Sequence, residues 1–466
     1  MANLYYNRIV QLNVSETVAP TPNRLQGTAA IVSMGGTTIP AGTTQLISSS
    51  ADLANYILPA YDISAISWTT GVVTLVTVNP HGIPVGATTT IVVAGNTPTG
   101  YNGTFTATGV DATTLHYSVA VNPGSATVEG TVRVGPQVFL QAADDTWWGQ
   151  GNTLTGYYIY ETGTAVTADV IDSVQTYLAA NPQTIYNWGF LPGVDADHTD
   201  LKAFLLLHNA LTSLIKFYLP VTSSTYTLWD AEDTLRNTLI FVQSPDANAS
   251  TELDSISFMQ YMTSFTPSPT NKLPPSQYTY LNAVTAYAPL TQSIINTFLA
   301  GNVNFVATGA EGGISNTILV PGKNLNGTPQ NVAYSIDWQQ IQLNEAISNA
   351  VINGSNNPEA PLYYNQDGIN FLQQVAGTVA TRAIQSGLAL GQLVLTSLDA
   401  VTFASNVQKG LYAGNYVINA VPFVDYVAVN PSDYASQIYG GFSAAYTPQY
   451  GFETIVFNLN VTQFAG

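Results

Sequence analysis

The chain contains no cysteine, which removes disulfides, thiolate metal sites and a cysteine nucleophile from consideration. Charge is scarce as well. Only 8% of residues are Asp, Glu, Lys or Arg, against about 25% in an ordinary domain. What charge there is leans acidic, with 28 acids to 10 Lys and Arg and a formal net charge of −18. Nucleic-acid binding needs clustered cations to displace counterions from phosphate, so this balance argues against it. No run of about 18 apolar residues occurs, and no membrane-spanning helix is expected. The opening MANLYYNRIVQLNV has no cationic start followed by an apolar stretch and a small-residue cleavage site, so no secretory leader is expected there.

What remains is a long, polar but nearly uncharged chain. Its 466 residues suggest about three domains and are enough to bury a sizeable core without staples. The surface must be covered by Ser, Thr, Asn, Gln, Tyr and Gly. Such a surface suits packing against other protein, because few charges need desolvating; an ordinary acidic soluble protein would read the same way.

Along the chain, the first 18 residues read as an extended arm. Ile9, Val10, Leu12 and Val14 carry its apolar positions, with Gln11 and Asn13 alternating between them, and Pro20 and Pro22 break the pattern. Thr28–Val32 reads as a buried strand with Gly35-Gly36 as its turn, and Ser50 is expected to cap a short helix reaching about Tyr56. From Ser64 to Gly135 the character changes. Short strands are expected at Val72–Val78, Thr88–Val93, Gly103–Ala107, Thr114–Ser118 and Thr127–Val134. Asn79-Pro80-His81-Gly82, Asn96-Thr97-Pro98 and Asn122-Pro123-Gly124 punctuate them. This predicts a small all-β sandwich of immunoglobulin-like size.

The helical period then returns. Helices are expected over Thr167–Ala180, Asp200–Leu207, Glu252–Ser264 and Thr291–Leu299, and strands over Ile215–Tyr218, Thr238–Val242 and Val303–Ala307. That alternation predicts an α/β core with a mixed sheet. Two longer helices follow: Leu343, Ala346, Ile347, Ala350 and Val351 share one face before Gly354, and Ile369, Leu372, Ala376, Val379, Ala380 and Ala383 share another before Gly387. Near the end, Ile455, Phe457, Leu459 and Val461 alternate with Val456, Asn458 and Asn460, the cleanest strand period in the sequence.

The search for chemistry finds little. His81, His116, His198 and His208 make no HExxH pattern, and each reads best as a surface or hydrogen-bonded histidine. Asp195, Asp197 and Asp200 form the densest acidic cluster. A calcium loop starting at Asp195 would need glycine and glutamate where Asp200 and Leu206 stand, so the cluster reads as a helix N-terminus. Gly149-Gln150-Gly151-Asn152 begins like a dinucleotide loop, but Leu154 occupies the third glycine's place. Gly322-Lys323-Asn324 lacks the hydroxyl and upstream glycine of a phosphate loop, and no GxSxG elbow occurs. No catalytic, cofactor-binding or metal residue is nominated. Among 27 tyrosines, the runs Tyr5-Tyr6, Tyr157-Tyr158, Tyr160 and Tyr363-Tyr364 suit either glycan stacking or, more simply, packing at protein contacts.

Two strand-like ends flank a core that has sheet-forming segments of its own. An isolated strand leaves backbone groups unpaired and must add to a sheet edge, its own or a neighbour's. The sequence leaves both routes open.

The second half of the chain resembles the sheath proteins of contractile phage (myophage) tails. IDWQQIQLNEAISNAVING, Ile336–Gly354, is similar to a Trp- and Leu-containing helix of that family, with Trp338 and Leu343 in the matching places. YNQDGINFLQQVAGTVATRAIQSG resembles the helix that follows, and NPSDYASQIYGGFSAAYTPQYGFETIVFNLNV the family's closing loop and last strand. NPHGIPVGATTTIVV and YNGTFTATGVDATTLHYSV resemble immunoglobulin-like modules of phage structural proteins. Relatives often carry arginines in the loop before the last strand; here Asp433-Tyr434 and Gln437-Ile438 stand there, so any ionic latch at that place would be replaced by tyrosine packing or hydrogen bonds.

The resemblance implies a mixed α/β (α+β) sheath core over 19–63 and 136–450, an inserted immunoglobulin-like domain over 64–135, an assembly arm over 1–18 and a closing strand over 451–466. It implies a virion protein and not an enzyme. Copies would form stacked hexameric rings by strand exchange around an inner tail tube, bounded by baseplate and tail terminator proteins, and would contract to drive the tube into a host envelope. No cofactor, nucleic acid or membrane insertion is implied. A host-binding adhesin or fibre protein recognising surface glycan is the alternative, and a polysaccharide-degrading enzyme a third reading.

Overall fold

The computed structural model describes residues 25–151, 155–229, 232–245, 252–311, 314–393, 411–412 and 415–452. After a short 3-10 turn at Leu25–Gly27, β1 (Ala29–Ser33) is buried along its whole length, and β2 (Thr43–Ile47) is its half-exposed successor. The chain then builds a separate body from β3 (Tyr61–Thr69), β4 (Val72–Thr77), β5 (Thr88–Ala94), β6 (Gly103–Gly109), β7 (Thr114–Ser118) and β8 (Thr131–Val134). β8 runs straight into α1 (Gly135–Gly149). β9 (Tyr157–Glu161), α2 (Thr167–Ala180), β10 (Asn187–Gly189), α3 (His198–Leu207), β11 (Lys216–Val221), β12 (Thr238–Val242) and α4 (Asp254–Ser264) follow.

The main sheet has the order β12-β11-β10-β1-β9-β2. Its first five strands are parallel, and β2 closes one edge antiparallel to β9. Setting β2 aside, the parallel strands follow the doubly wound order 2-1-3-4-5. AAIVS in β1, KFYLPV in β11 and TLIFV in β12 are buried at every position, as expected of strands covered on both faces. Right-handed crossovers place α1, which leads from β1 to β9, opposite α2 and α3, which lead back the other way. α1 packs with α4, and α2 with α3. The architecture is a mixed α/β one with several sheets.

The segment expected to be an immunoglobulin-like sandwich is instead a closed barrel of order β3-β4-β7-β6-β5-β8. Every neighbouring pair is antiparallel. The two sequence-distant strands, β3 and β8, join at Tyr61↔Val132 and Asp62↔Thr131, so no edge is left open as it would be in a sandwich. β3 escaped the strand count because its alternation is broken. A register shift between Ile63 and Ala65 lets Ile63 and Ile66, three apart, both point inward, as a bulge does. The barrel has its own core, centred on Val73, Leu75, Ile91, Leu115 and Val132.

Its mount is rigid. Gln137, buried in the first turn of α1, accepts from Val134 N at 3.1 Å and donates to Pro59 O at 2.9 Å and Leu58 O at 3.3 Å. One side chain therefore ties both strands by which the barrel leaves the core.

Beyond α4 the alternation stops. The strand expected at Val303–Ala307 touches the main sheet at a single parallel bridge, Phe241↔Asn304. It then becomes β13 (Phe305–Glu311) of an antiparallel hairpin with β14 (Ile314–Val320), after α5 (Gln292–Ala300). α6 (Gln330–Ser355) and α7 (Gln366–Gln385) lie against each other, and Gly387, at φ +71°, stops the second in a conformation suited to glycine. A small antiparallel sheet, β15 (Leu411–Tyr412), β16 (Tyr416–Ala420) and β17 (Phe442–Tyr446), completes the described chain. The short helix expected from Ser50 is a 3-10 turn, Leu53–Asn55, whose lead-in is fixed by Asp52 accepting from the Ser48 and Ser49 backbone.

Candidate functional site

α6 is 26 residues long, about 39 Å at the ~1.5 Å rise of an α-helix. Its first half is buried on nearly every side, including polar Gln330, Asn331, Ser335, Asp337, Gln339 and Gln342. A polar side chain held away from water is costly without partners; Asn331, Ser335, Asp337 and Gln342 have them, and those partners define the site.

One face of α6, at the i, i+3, i+7 positions Tyr334, Asp337 and Ile341, meets the start of the described chain and the main sheet. Gln26 Nε2 donates to Tyr334 O at 2.9 Å. Leu25 packs with Tyr186, Leu214 and Ile341 in a small cluster of its own. The Asp337 carboxylate then takes Tyr186 Oη at 2.6 Å and Lys216 Nζ at 3.2 Å on Oδ2, and Arg236 Nη2 at 2.8 Å on Oδ1. Lys216 also donates to Arg236 O, and Arg236 Nη1 to Ala210 O. Burial brings the Lys216 ammonium down to about 8, against the pull of Asp337; burial and the Asp337 charge hold the Tyr186 phenol well above its ordinary value.

The other face, at Asn331 and Ser335, meets the other end of the described chain. Asn331 Nδ2 donates to Gln449 O at 2.9 Å, and Ser335 Oγ to Leu388 O at 2.7 Å. Gln449 N returns to Leu388 O, and Leu390 N to Thr447 O. Asn331 is itself held by Ser276, whose hydroxyl accepts from Asn331 N at 2.7 Å. The segments leading to residues 1–24 and to 453–466 are thus fastened within one turn of the same helix. Next to them, a buried ionic cluster joins that helix to the main sheet. α7 braces α6 from behind: Arg382 donates to Gln342 Oε1 at 3.1 Å and lies 5.6 Å from the Trp338 ring centre.

The residues nominated from the sequence as assembly arms, Ile9, Val10, Leu12, Val14, Ile455, Phe457, Leu459 and Val461, lie outside the described residues. Tyr157 and Tyr160 are buried in β9, bonded to Asp144 and Ser173, and Tyr364 packs edge-on or tilted against Phe423, Tyr434 and Tyr439; these are packing tyrosines, while Tyr363 is exposed. His81 is buried and accepts from Ile83 N; His198 packs on Trp229 and His208 on Phe204. Burial lowers both His81 and His208. Asp200 stands in the first turn of α3. Asp195 is buried and accepts from Thr225 Oγ1 at 2.7 Å, with burial raising its carboxyl.

A cleft of ≈ 220 Å³ opens at the carboxyl ends of β10, β11 and β12, between Gly193, Asp195, Thr222, Ser223, Gln243 and Ser244. Among the described residues, Asp195 is the one titratable group lining it, so these residues bring no acid–base pair to the cleft. Among the described residues, no three His, Asp or Glu side chains gather as a metal site would need.

The sequence reading did not nominate Lys216, Arg236 or Asp337. A clue was present: Lys216 interrupts the apolar run Leu214-Ile215-Lys216-Phe217-Tyr218-Leu219, and a lysine in a buried strand requires an acid elsewhere. Nothing local says which acid.

No family model matches the sequence, and no curated protein matches it. Among solved structures, the chain is similar to a sheath tail protein from Listeria innocua, with 10% identity and a TM-score of 0.40 over 96% of this chain and 99% of that one.

Proposed function

We propose that this chain is a structural subunit of a contractile phage tail sheath, polymerising with copies of itself in stacked hexameric rings around an inner tube. The supporting observation is the double fastening on α6. Gln26 and Gln449 are held three residues apart, at Tyr334 and Asn331. In a subunit linked to neighbours through both ends of its chain, load entering by either end would reach the same stiff helix. Through Asp337 it would pass to the main sheet rather than unravel a loop. The sequence resemblance over Ile336–Gly354 and onward points to the same assembly. On this reading the virion is the protein's location and contraction its work, and the inner tube, baseplate and tail terminator are its other partners.

Negative-stain electron microscopy of the purified protein, beside a version lacking residues 1–18 and an Asn331→Ala variant, tests this. Tubes or stacked rings should form with the intact chain, vanish without the arm, and shorten or become irregular with N331A. Discrete monomers in all three samples, well above micromolar concentration, would remove the sheath reading and direct the search to glycans.

A further inference from the structure

In doubly wound sheets the turn after the first strand ordinarily supplies backbone N–H groups to an anionic ligand. Here that turn is Ser33-Met34-Gly35-Gly36-Thr37, and its donors converge on one point. The Glu161 carboxylate, at the end of β9 and directly across from Ser33 in the sheet, accepts from Ser33 Oγ at 2.7 Å and Thr37 Oγ1 at 2.6 Å on Oε2. On Oε1 it accepts from Gly35 N at 2.8 Å and Gly163 N at 2.7 Å. The whole residue is buried. Among the described residues, no cation is a partner; two hydroxyls and two backbone N–H groups satisfy it, the donor set of an oxyanion cradle.

The cradle is held from outside as well as from within. Ser33 Oγ accepts from Gly36 N, and Thr37 Oγ1 from Ile39 N, which aims both hydroxyl protons at the carboxylate. Ser33 O takes Thr162 Oγ1 at 2.8 Å and Thr162 N at 3.1 Å. Gly35 sits at φ +85°, where a side chain would strain the turn. A Cβ on Gly36 would lie 3.0 Å from the backbone of Pro136, so the turn packs directly against the start of α1 with no room for a side chain between them.

We propose that this turn is an anion-binding site for a small carboxylate, occupied in the native chain by its own Glu161. The four donors are fixed by the surrounding backbone and not by the glutamate stem. A free carboxylate of matching size can therefore take the place of the side chain when the stem is cut. Glu161→Ala removes Cγ, Cδ and both oxygens, which is the heavy-atom frame of acetate. Acetate is thus the fitted ligand, formate a smaller one, and propionate one carbon too large.

Thermal unfolding of wild type and E161A, in sodium acetate, formate, propionate and chloride at equal ionic strength, tests the proposal. The midpoint of E161A should fall by several degrees and be restored saturably by acetate, less by formate, and by propionate no more than by chloride. Wild type should show no acetate effect beyond chloride, because its site is filled. Adding Ser33→Ala and Thr37→Ala to E161A should abolish the recovery. Should E161A fail to fold on expression, its refolding yield from urea in acetate against chloride carries the same comparison. Equal recovery in acetate and chloride, or equal acetate effects on wild type and E161A, would overturn the assignment.

Discussion

Lys216 Nζ stands 3.2 Å from Asp337 Oδ2 with both side chains wholly buried. The pair spans the gap between a strand of the main sheet and the helix that fastens both ends of the described chain. Arg236 bonds the second oxygen of the same carboxylate, so one anion carries two cations and a tyrosine hydroxyl. Such clusters contribute less to net stability than to holding one arrangement, because desolvation offsets most of their attraction. Removing one member is another matter.

Asp337→Ala should lower stability by about 3–5 kcal/mol, the cost of stranding buried charge. Lys216→Met should cost less, because Asp337 keeps Arg236 and Tyr186. Urea unfolding of the two variants gives the order; a costlier K216M would contradict it.

Alkaline pH should reveal Lys216. Its folded value is brought down to about 8 from 10.5, so between those two values the unfolded chain holds more of this proton than the folded one. Stability from this group therefore rises with pH across that window and is lost as pH falls through about 8. The difference in unfolding free energy between wild type and K216M should grow from pH 8 to pH 10. Tyr157 and Tyr186, raised well above 10 by burial, act in the opposite sense to Lys216: their contribution is present below pH 10 and fades only at higher pH.

Asp144 provides the acid-side counterpart. Burial raises it to about 6 despite hydrogen bonds from Tyr157 and Trp148. The folded chain then holds this proton while the unfolded chain has released it. The group's contribution is full below its unfolded value of 3.8 and is lost as pH rises through about 6. Asp144→Asn should flatten the pH dependence of stability between pH 4 and 6, which chemical denaturation at a series of pH values will read.

Gln137→Ala should loosen the barrel without unfolding it. The change strands the buried Val134 N, at about 1–3 kcal/mol for a buried group left without a partner, and frees the carbonyls of half-buried Leu58 and exposed Pro59 to bond water. Hydrogen exchange should quicken at Val134 first. The barrel core has its own cluster, so amides on β4 and β7 should keep their protection.

Much of the local structure was legible in advance. The helix Thr167–Ala180 and the strands Thr114–Ser118 and Thr238–Val242 fall where their periods place them. α1 was missed because Gly135-Pro136 reads as a break, whereas proline suits the first turn of a helix. β9 was missed because Tyr157, Tyr158 and Tyr160 read as surface or interface residues. Buried tyrosine is tolerated there because Asp144 and Ser173 take its hydroxyls, and those partners are invisible from the strand itself.

The sequence by itself determined the periods, the turn positions, the scarcity of charge and the absence of cysteine, all properties of a residue and its near neighbours. The tertiary structure decided the rest. Whether the β segment closed into a barrel depended on Tyr61 finding Val132; which acid answered Lys216 depended on α6 folding back over β11; and the turn after β1 met its anion because Glu161 lies beside Ser33 in the sheet. Each is a meeting of residues far apart in the chain. Pairing of that kind is governed by packing and by the cost of unsatisfied buried groups, which no local window of sequence contains.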